Sequence, residues 1–283
     1  MKKSTLELKL PLNYTNSDIS RVLKKKGYKI IHSKFFSNND YVKLFGKDAT
    51  KNRRFYNIGA GNFKHPFWTN IDHYSKWYKE NSFDMDYDLT SNKPINIDSN
   101  SASIIYSSHT IEHITTENAL FLFKEAFRIL KKGQFIRIST PDIDLAYWAY
   151  KNKDMSFFKK NGKLYLNKSL EQLFLYSFAS QLSTIYNKKG INDDKIKKIF
   201  SNKNYIDSLN KLIEKCDIQI QRKNPGHHIN WWNEEKLIKM LKEAGFSETY
   251  RSGYGQSRCP ALRDTNYFDV SNTNLSLYIE AIK

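Results

Sequence analysis

The chain has 283 residues, which is enough for one large domain with additions or for two small domains. A hydrophobic fraction of 40%, with 18 Tyr and 18 Phe, excludes a disordered polypeptide. The net charge of +17 favours anionic partners, whereas two widely separated cysteines and the lack of any long apolar run exclude a disulfide-stapled or membrane-spanning protein.

Residues 1–54 are predicted to form a basic N-terminal cap, with 14 Lys and Arg against 4 Asp and Glu. The stretch "SDISRVLKKKGYKII" predicts a short helix that begins at Ser17 or Asp18 and ends at Gly27. The following "YKIIHSKFF" predicts a strand. No apolar core of a secretory signal occurs at the start of the sequence, so a cytoplasmic location is expected.

The stretch "FYNIGAGNFKHPFWTNID" (55–72) predicts two strands joined by a compressed turn. Gly59 and Gly61 follow the first strand, and the second strand ends in Asp72. A dinucleotide-binding turn needs a third glycine, a helix N-terminus for the pyrophosphate and an acid about 20 residues further on. Because the gap has no room for that helix and Asp72 comes early, a ligand with a ribose but no pyrophosphate fits better.

The segment from Phe55 onwards alternates between strand and helix patterns. Strands are predicted at 84–90, 101–109 and 134–142, and "TENALFLFKEAFRILKKG" (116–133) predicts a helix that ends at Gly133. This alternation indicates βαβ units and a largely parallel sheet. The expected fold class is therefore α/β.

Residues 143–223 interrupt the alternation with basic, aromatic, helical patterns, and 151–223 carry 16 Lys and Arg against 7 Asp and Glu. They predict a helical insertion that covers the sheet. The α/β pattern then resumes: Asn233 predicts the N-cap of a helix over 233–246, "SETYRSGYGQS" is compatible with a strand, and "NLSLYIEAIK" predicts a terminal strand.

Several motifs together resemble the class I S-adenosylmethionine-dependent methyltransferases. They are "NIGAGN", "NID", "DLT", "IIYSSHTIEHI", "FKEAFRILKKGQFIRISTPD" and "SLYIEAIK". The resemblance is greatest to a small-molecule, type 11-like group associated with sugar, capsule and surface-polysaccharide biosynthesis. It implies a Rossmann-like, mostly parallel sheet with an antiparallel last strand. The implied division of the chain is 1–54 (cap), 55–142 (cofactor-binding half), 143–225 (insertion or lid) and 226–283 (C-terminal half).

The same resemblance implies S-adenosylmethionine as the cofactor and assigns parts of it to residues of this sequence. Gly59, Ala60 and Gly61 would pass under the methionine part. Asp72 would hold the ribose hydroxyls, which a carboxylate at a strand end can accept.

The adenine and methyl-transfer sides follow in the same way. Asp88 and Leu89 would meet the adenine through a carboxylate and a backbone N–H. Ser107 and Ser108 would line the methyl-transfer side. Asn57 stands where many members of the family have an acid, so it can hydrogen-bond the cofactor but adds no negative charge.

Methyl transfer to a hydroxyl needs alignment and a general base. The candidate bases are His109, His113, His228 and Asp142, with His227 as a further possibility in "NPGHHINWW". His109 lies nearest to the strand end, where open α/β sheets bind ligands. His113 is equally compatible with a structural role at the start of the following helix.

The spacing of histidines and acids predicts no metal site. His109 and His113 are four residues apart, but Glu112 between them does not form a zincin arrangement. The site is therefore predicted to lack a metal.

Three functions follow from these residues. The first is O-methylation (EC 2.1.1.-) of a small anionic acceptor, such as a nucleotide-activated sugar or surface-glycan precursor, with lysines of the insertion meeting phosphates. The second is a nucleic-acid methyltransferase, against which stands the lack of a recognisable binding module. The third is a degenerate methyltransferase fold that acts as a partner protein. Peripheral contact with a membrane stays compatible with the basic flanks, and the oligomeric state is not predicted.

Overall fold

The computed structural model describes residues 36–75, 83–158, 167–201 and 204–283, together with Arg21 and Lys25. The short helix and strand predicted within residues 17–36 lie outside the described residues, except for Arg21 and Lys25, which are helical, and Phe36. The described part is an α/β structure built on one seven-stranded sheet.

The sheet has the strand order β3-β2-β1-β4-β5-β7-β6. Strands β1 to β5 pair in parallel, and β7 is antiparallel to both of its neighbours. The predicted fold class, a mostly parallel α/β sheet with an antiparallel last strand, is thereby confirmed. The strands are β1 (Phe55–Ile58), β2 (Thr69–Asp72), β3 (Met85–Asp86), β4 (Ala102–Ser108), β5 (Leu130–Pro141), β6 (Glu248–Ser252) and β7 (Ser276–Ile282).

Helices flank the sheet and fill the insertion. None of the described helices is long and apolar enough to cross a membrane. They are α1 (Asn38–Lys51), α2 (Thr116–Ile129), α3 (Ile143–Lys151), α4 (Met155–Phe158), α5 (Leu170–Tyr176), α6 (Asp193–Phe200), α7 (Tyr205–Ile213), α8 (Ile218–Lys223) and α9 (Glu234–Glu243), with short 3-10 turns at Ile111–His113, Ser180–Leu182 and Pro260–Arg263.

The connection between β1 and β2 contains turns and no helix over residues 59–68. The amides of Gly59 and Ala60 both donate to the carbonyl of Ile71, at 2.9 and 3.3 Å. The chain therefore folds back directly onto β2. The compressed crossover expected from the spacing of the two strands is present.

The boundary between α2 and β5 differs from the prediction. The helix ends at Ile129, and Leu130 already has an extended backbone with φ −63° and ψ 141°. Leu130 pairs with Ala102 of β4, so sheet pairing takes over three residues before Gly133. Lys131 and Lys132, which precede Gly133, therefore lie in the strand.

Helix α1 is an element that the sequence patterns did not predict. Ser37 and Asp40 form a capping box at its start, in which each side chain accepts from the other's backbone amide. Gly46 has a φ of 86° and kinks the helix in its middle. Glycine has a low helix propensity, so its presence in the middle of this segment weakens the sequence signal for a helix.

The described residues form three apolar cores. One lies between the sheet and helices α2 and α9, and one lies between the opposite face of the sheet and α1. The third belongs to the insertion and includes Phe174, Phe178 and Phe200. Because the insertion has its own core, its helices are packed against one another.

His65 is an ionisable residue that packs among the aromatic side chains of the core beside α1. The amide of Phe67 donates to Nδ1 of His65 at 3.2 Å, so that nitrogen must be unprotonated. Burial, assisted by the nearby charge of Arg53, lowers the pKa of His65 to about 4 from its ordinary 6.5.

This burial predicts acid sensitivity of the fold. Between pH 6.5 and 4 the unfolded chain binds the proton and the folded chain does not, so acidification favours unfolding. We expect the free energy of unfolding to fall by about 2 kcal/mol from His65 alone between neutral pH and about pH 4.5. Urea unfolding across this range should show a flatter pH dependence in His65→Phe and an unchanged one in His73→Gln, whose ring is exposed. Equal slopes in wild type and His65→Phe would contradict the assignment.

Candidate functional site

A cleft with a volume of about 590 Å³ lies across the carboxyl ends of β1, β2 and β4. Ligands bind at this edge in open α/β sheets. The cleft brings together most of the residues that the sequence predicted for a site. They are Gly59, Asp72, Asp88, Leu89, His109, His113 and His228.

The floor of the cleft depends on Gly59. Its φ of 70° lies in the left-handed region, and a Cβ atom at this position would lie 2.2 Å from Cγ2 of Thr110. Thr110 is buried and its hydroxyl contacts the carbonyl oxygens of Ile58, Gly59 and Ser108. The backbone of the turn therefore packs directly against the segment after β4, which only glycine permits.

Gly59→Ala is expected to destabilise the protein by about 2–4 kcal/mol, combining positive-φ strain with overpacking against Thr110. Gly133→Ala is the matched control, because its φ is 74° and nothing lies within 4 Å of the added atom. Thermal or urea unfolding of the two variants separates strain from steric conflict. Equal losses in both would show that Thr110 imposes no restriction.

Asp72 ends β2 with its carboxylate turned towards the glycine turn. Its Oδ2 accepts from the amide of Gly61 at 2.6 Å, and its Oδ1 accepts from the amide of His73 at 2.7 Å. Both oxygens are ordered by the backbone and the side chain lines the cleft. The carboxylate is thus fixed where it can accept hydrogen bonds from a bound diol.

Asp88 is linked across the cleft to the insertion. Its Oδ1 accepts from the amide and hydroxyl of Thr90, and its Oδ2 forms a 3.1 Å ion pair with Arg222 of α8. Burial acts to raise the pKa of Asp88, but the bonds from Thr90 and the charge of Arg222 hold that pKa below its ordinary value. Asp88 is therefore an anionic contact between the sheet and the insertion.

Five predicted cofactor residues do not line the cleft. Ser107 donates to the carbonyl of Ile58 at 2.9 Å, and Ser108 contacts the hydroxyl of Ser139 at 2.7 Å, so both tie strands together. Asn57 is buried, and its Oδ1 has no hydrogen-bond partner among the described residues. Ala60 and Gly61 belong to the turn but do not line the cleft, and the amide of Gly61 donates to the carboxylate of Asp72.

His109 has an unusual backbone and a fully engaged side chain. Its φ of 50° lies in the left-handed region, which is uncommon for residues other than glycine but in which His is enriched. Its Nδ1 lies 3.1 Å from Oε1 of Glu112 and its Nε2 lies 2.8 Å from the hydroxyl of Ser276. The ring is thus held at the boundary between the cleft and the neighbouring pocket.

Glu112, His113 and His228 meet at the inner end of the cleft. The rings of His113 and His228 pack edge to face with centroids 4.8 Å apart. Burial, reinforced by the nearby charge of His113, lowers the pKa of His228 to about 4. Burial acts to raise the pKa of Glu112, but the contact with His109 and the surrounding histidines hold that pKa at about 2. The arrangement is an anionic carboxylate surrounded by imidazoles.

A second, smaller pocket of about 100 Å³ opens beside the cleft. His109, His228 and Asn272 line both cavities. The rest of its wall is mainly apolar and comes from β5, the insertion and the segment before β7. That wall comprises Pro141, Asp142, Ala146, Phe157, Phe158, Leu173, Tyr176, Ser177 and Leu275.

Asp142, a predicted base, is a capping residue in this pocket wall. Its side chain accepts from the amide of Asp144 at 3.0 Å and pairs with Arg251 at 3.0 Å. Burial raises the pKa of Asp142 despite the charge of Arg251. Both oxygens accept from structural donors, and the charge of Arg251 lies against the carboxylate.

Sequence reasoning missed several residues of the cleft. Thr110, Arg222 and Asn272 line it, and Glu112 was considered only as part of a local spacing. Asn272 has a φ of 42°, and the preference of Asn for left-handed turns was the available signal. Nothing in the sequence distinguishes Arg222 from the many other basic residues of the insertion.

The fold and the cleft define an α/β protein with a candidate ligand site at its parallel strand ends. No protein-family model and no curated protein matches the chain. Among solved structures, it is similar to a SAM-dependent methyltransferase from Archaeoglobus fulgidus, with 14% identity and a TM-score of 0.40 over 87% of this chain and 95% of that one. It is also similar to a SAM-dependent methyltransferase from Thermotoga maritima, described as a possible histamine N-methyltransferase, with 14% identity and a TM-score of 0.40 over 94% and 95% of the two chains. A third is a SAM-dependent methyltransferase from Methanosarcina mazei, with 12% identity and a TM-score of 0.37 over 81% and 91%.

Proposed function

We propose that the protein is an S-adenosylmethionine-dependent methyltransferase that acts on a hydroxyl group of a small molecule. The observation that carries this proposal is the joined pair of cavities. One cavity presents two fixed carboxylates at strand ends, the other is mainly apolar, and His109 lies where they meet. A cofactor and an acceptor bound in these cavities would approach each other at His109.

The residues of the larger cleft fit the nucleoside part of this cofactor. Asp72 is an ordered hydrogen-bond acceptor at the end of β2, suited to ribose hydroxyls. Asp88 and Leu89 line the next position along the same wall. The helix-free crossover offers no helix N-terminus to a pyrophosphate. The bound cofactor would supply a methyl group on a sulfonium, which is a strong electrophile that needs little activation.

The acceptor hydroxyl has to lose its proton during the reaction, and His109 is the proposed proton acceptor, at Nε2. His109 borders both cavities, and its Nε2 lies 2.8 Å from the hydroxyl of Ser276, a contact that a bound acceptor hydroxyl would replace. The carboxylate of Glu112 lies 3.1 Å from the other ring nitrogen, where it stabilises the protonated ring. His113 and His228 line the cleft on the far side of Glu112.

The wall of the smaller pocket bears on the choice of acceptor. It contains no Lys or Arg among the described residues, and Arg222 is the cation that borders the larger cleft. The reacting end of the acceptor is therefore proposed to be small and largely apolar. A phosphorylated or nucleotide-activated sugar acceptor would rely on Arg222 for its charge.

Calorimetric titration of the purified protein with S-adenosylmethionine and S-adenosylhomocysteine tests the proposal. We expect one equivalent of each to bind with a Kd in the micromolar range, on the order of −8 kcal/mol. NAD should bind far more weakly, because the crossover lacks a pyrophosphate site. If neither sulfur nucleoside produces heat of binding, the proposed function is wrong.

A further inference from the structure

The inner end of the cleft brings together three side chains that can each offer one metal ligand. The ligand atoms of Glu112, His113 and His228 all lie within 4.8 Å of one another. Oε1 of Glu112 lies 3.9 Å from Nε2 of His113. Neighbouring ligands around a tetrahedral metal ion with bonds of about 2.0–2.2 Å lie roughly 3.4 Å apart, so small side-chain rotations complete such a site.

Both histidines are held in the tautomer that metal binding requires. Nδ1 of His113 donates to the carbonyl of His227 at 3.0 Å, and Nδ1 of His228 donates to the carbonyl of Ser177 at 2.8 Å. In the neutral form of each ring the proton is therefore on Nδ1, and the lone pair is on Nε2. Metal-bound histidines characteristically donate their other ring N–H to a backbone carbonyl in this way.

The surroundings of Glu112 independently indicate a bound cation. Its side chain is almost fully buried, and its Oε2 accepts from the hydroxyl of Thr140 at 3.1 Å. Its Oε1 has no partner of hydrogen-bonding geometry among the described residues, although Nδ1 of His109 lies 3.1 Å away. A buried anionic oxygen is costly unless a proton donor or a cation satisfies it, and each carboxylate oxygen has a second lone pair available.

Backbone hydrogen bonds join the segment that contains Glu112 and His113 to the segment that contains His228. The amides of Ile229 and Asn230 both donate to the carbonyl of Glu112, at 2.9 and 3.2 Å. His228 is thereby held beside Glu112 and His113, although it lies in a distant part of the sequence. This distance in sequence is why local spacing predicted no metal.

The geometry points to a binding site for a divalent transition-metal ion, formed by Glu112, His113 and His228. Two imidazoles and one carboxylate suit ions such as Zn²⁺, Co²⁺, Mn²⁺ and Fe²⁺. Three protein ligands leave coordination positions open towards the cleft. His228 also borders the apolar pocket, so an open position faces the place where the acceptor hydroxyl is proposed to bind.

The ion would hold the oxygen of the acceptor beside His109, a role that rests on the proposed function. Binding of the ion itself does not rest on it. A metal titration without cofactor or acceptor therefore succeeds or fails independently of methyl transfer. Conversely, the cofactor titration described above can succeed on a protein that binds no metal.

The test is equilibrium dialysis and calorimetry of untagged, EDTA-treated protein with Zn²⁺ and Co²⁺, followed for Co²⁺ by its visible absorption. We expect one equivalent to bind tightly, with an absorption band typical of nitrogen and oxygen ligands. Glu112→Gln and His228→Gln should each weaken binding roughly 100-fold or more, because each removes a direct ligand.

The exposed pair His73 and Asp86 provides the matched control. Its Nδ1–Oδ1 distance is 2.7 Å, and no third ligand from the described residues joins it in a cluster. His73→Gln should leave the stoichiometric affinity unchanged. His113→Gln, at a partly exposed position, serves as a third ligand variant if Glu112→Gln and His228→Gln prevent folding, which circular dichroism reports.

Two results would overturn the assignment. One is wild-type protein that binds no stoichiometric Zn²⁺ or Co²⁺. The other is a folded ligand variant that binds as tightly as wild type, which would place the ion elsewhere, for instance at surface histidines.

Discussion

Arg137→Met is expected to lower the free energy of unfolding by about 3–5 kcal/mol. Arg137 is fully buried and pairs with Asp269 at 2.5 Å and with Glu280 at 2.8 Å. It also donates to the hydroxyl of Ser252 and to the carbonyl of Gly253. Its removal leaves two buried carboxylates without their cation, which is far costlier than losing an exposed ion pair. Urea unfolding followed by tryptophan fluorescence measures the loss.

Arg258→Met is the matched control. This arginine pairs with Glu248 at 3.1 Å, but both side chains are more than half exposed, so the expected cost is below about 1 kcal/mol. The triple variant Arg137→Met, Asp269→Asn, Glu280→Gln should recover part of the stability, because it removes the unpaired charges. A loss from Arg137→Met no larger than that from Arg258→Met would contradict the buried network.

This network also bears on the candidate site. Asp269 has a φ of 57° and anchors the segment that continues to Ser271 and Asn272, which border the cleft. The ion pairs with Arg137 thus hold that segment against the sheet. Loss of Arg137 is expected to disturb the shared wall of the two cavities as well as the core.

The sequence patterns predicted the parts of the fold in which one local rule dominates. The alternation of strands and helices predicted the parallel sheet, and Asn233 with the acids after it predicted α9, whose cap and first turn agree. The patterns failed where tertiary contacts override a local rule. At Leu130 pairing with β4 ends α2 before the predicted glycine, and α1 continues past Gly46 although glycine has a low helix propensity.

The same contrast holds for the site. Asp72 was singled out by its position at the end of a predicted strand and Asp88 by the family resemblance, and both line the cleft. The cluster of Glu112, His113 and His228 was not predicted, because the last histidine arrives from beyond the insertion and is positioned by backbone bonds to Glu112. Likewise, Asp142 looked like a free base in sequence, whereas the fold uses it to cap α3 and to pair with Arg251.

Asp72→Ala is expected to weaken S-adenosylhomocysteine binding by at least about tenfold, equivalent to about 1.4 kcal/mol. The variant removes the carboxylate that is proposed to accept both ribose hydroxyls, and it also frees the amides of Gly61 and His73. Calorimetry measures the change in Kd. Asp72→Asn, which keeps one oxygen acceptor, should give an intermediate loss, and Asp98→Asn, at an exposed position outside the cleft, should give none.

Asp72→Ala could weaken binding through loss of contact with the ribose or through disorder of the glycine turn, and a modified ligand distinguishes these two causes. The 2′-deoxy analogue of S-adenosylhomocysteine should bind the wild type more weakly, because one of the two proposed hydrogen bonds to Asp72 is missing. Asp72→Ala should then weaken the analogue less than it weakens the parent compound, since the two changes remove the same interaction. If the substitution weakens both ligands by the same factor, Asp72 acts by ordering Gly61 and the turn rather than by binding the 2′-hydroxyl.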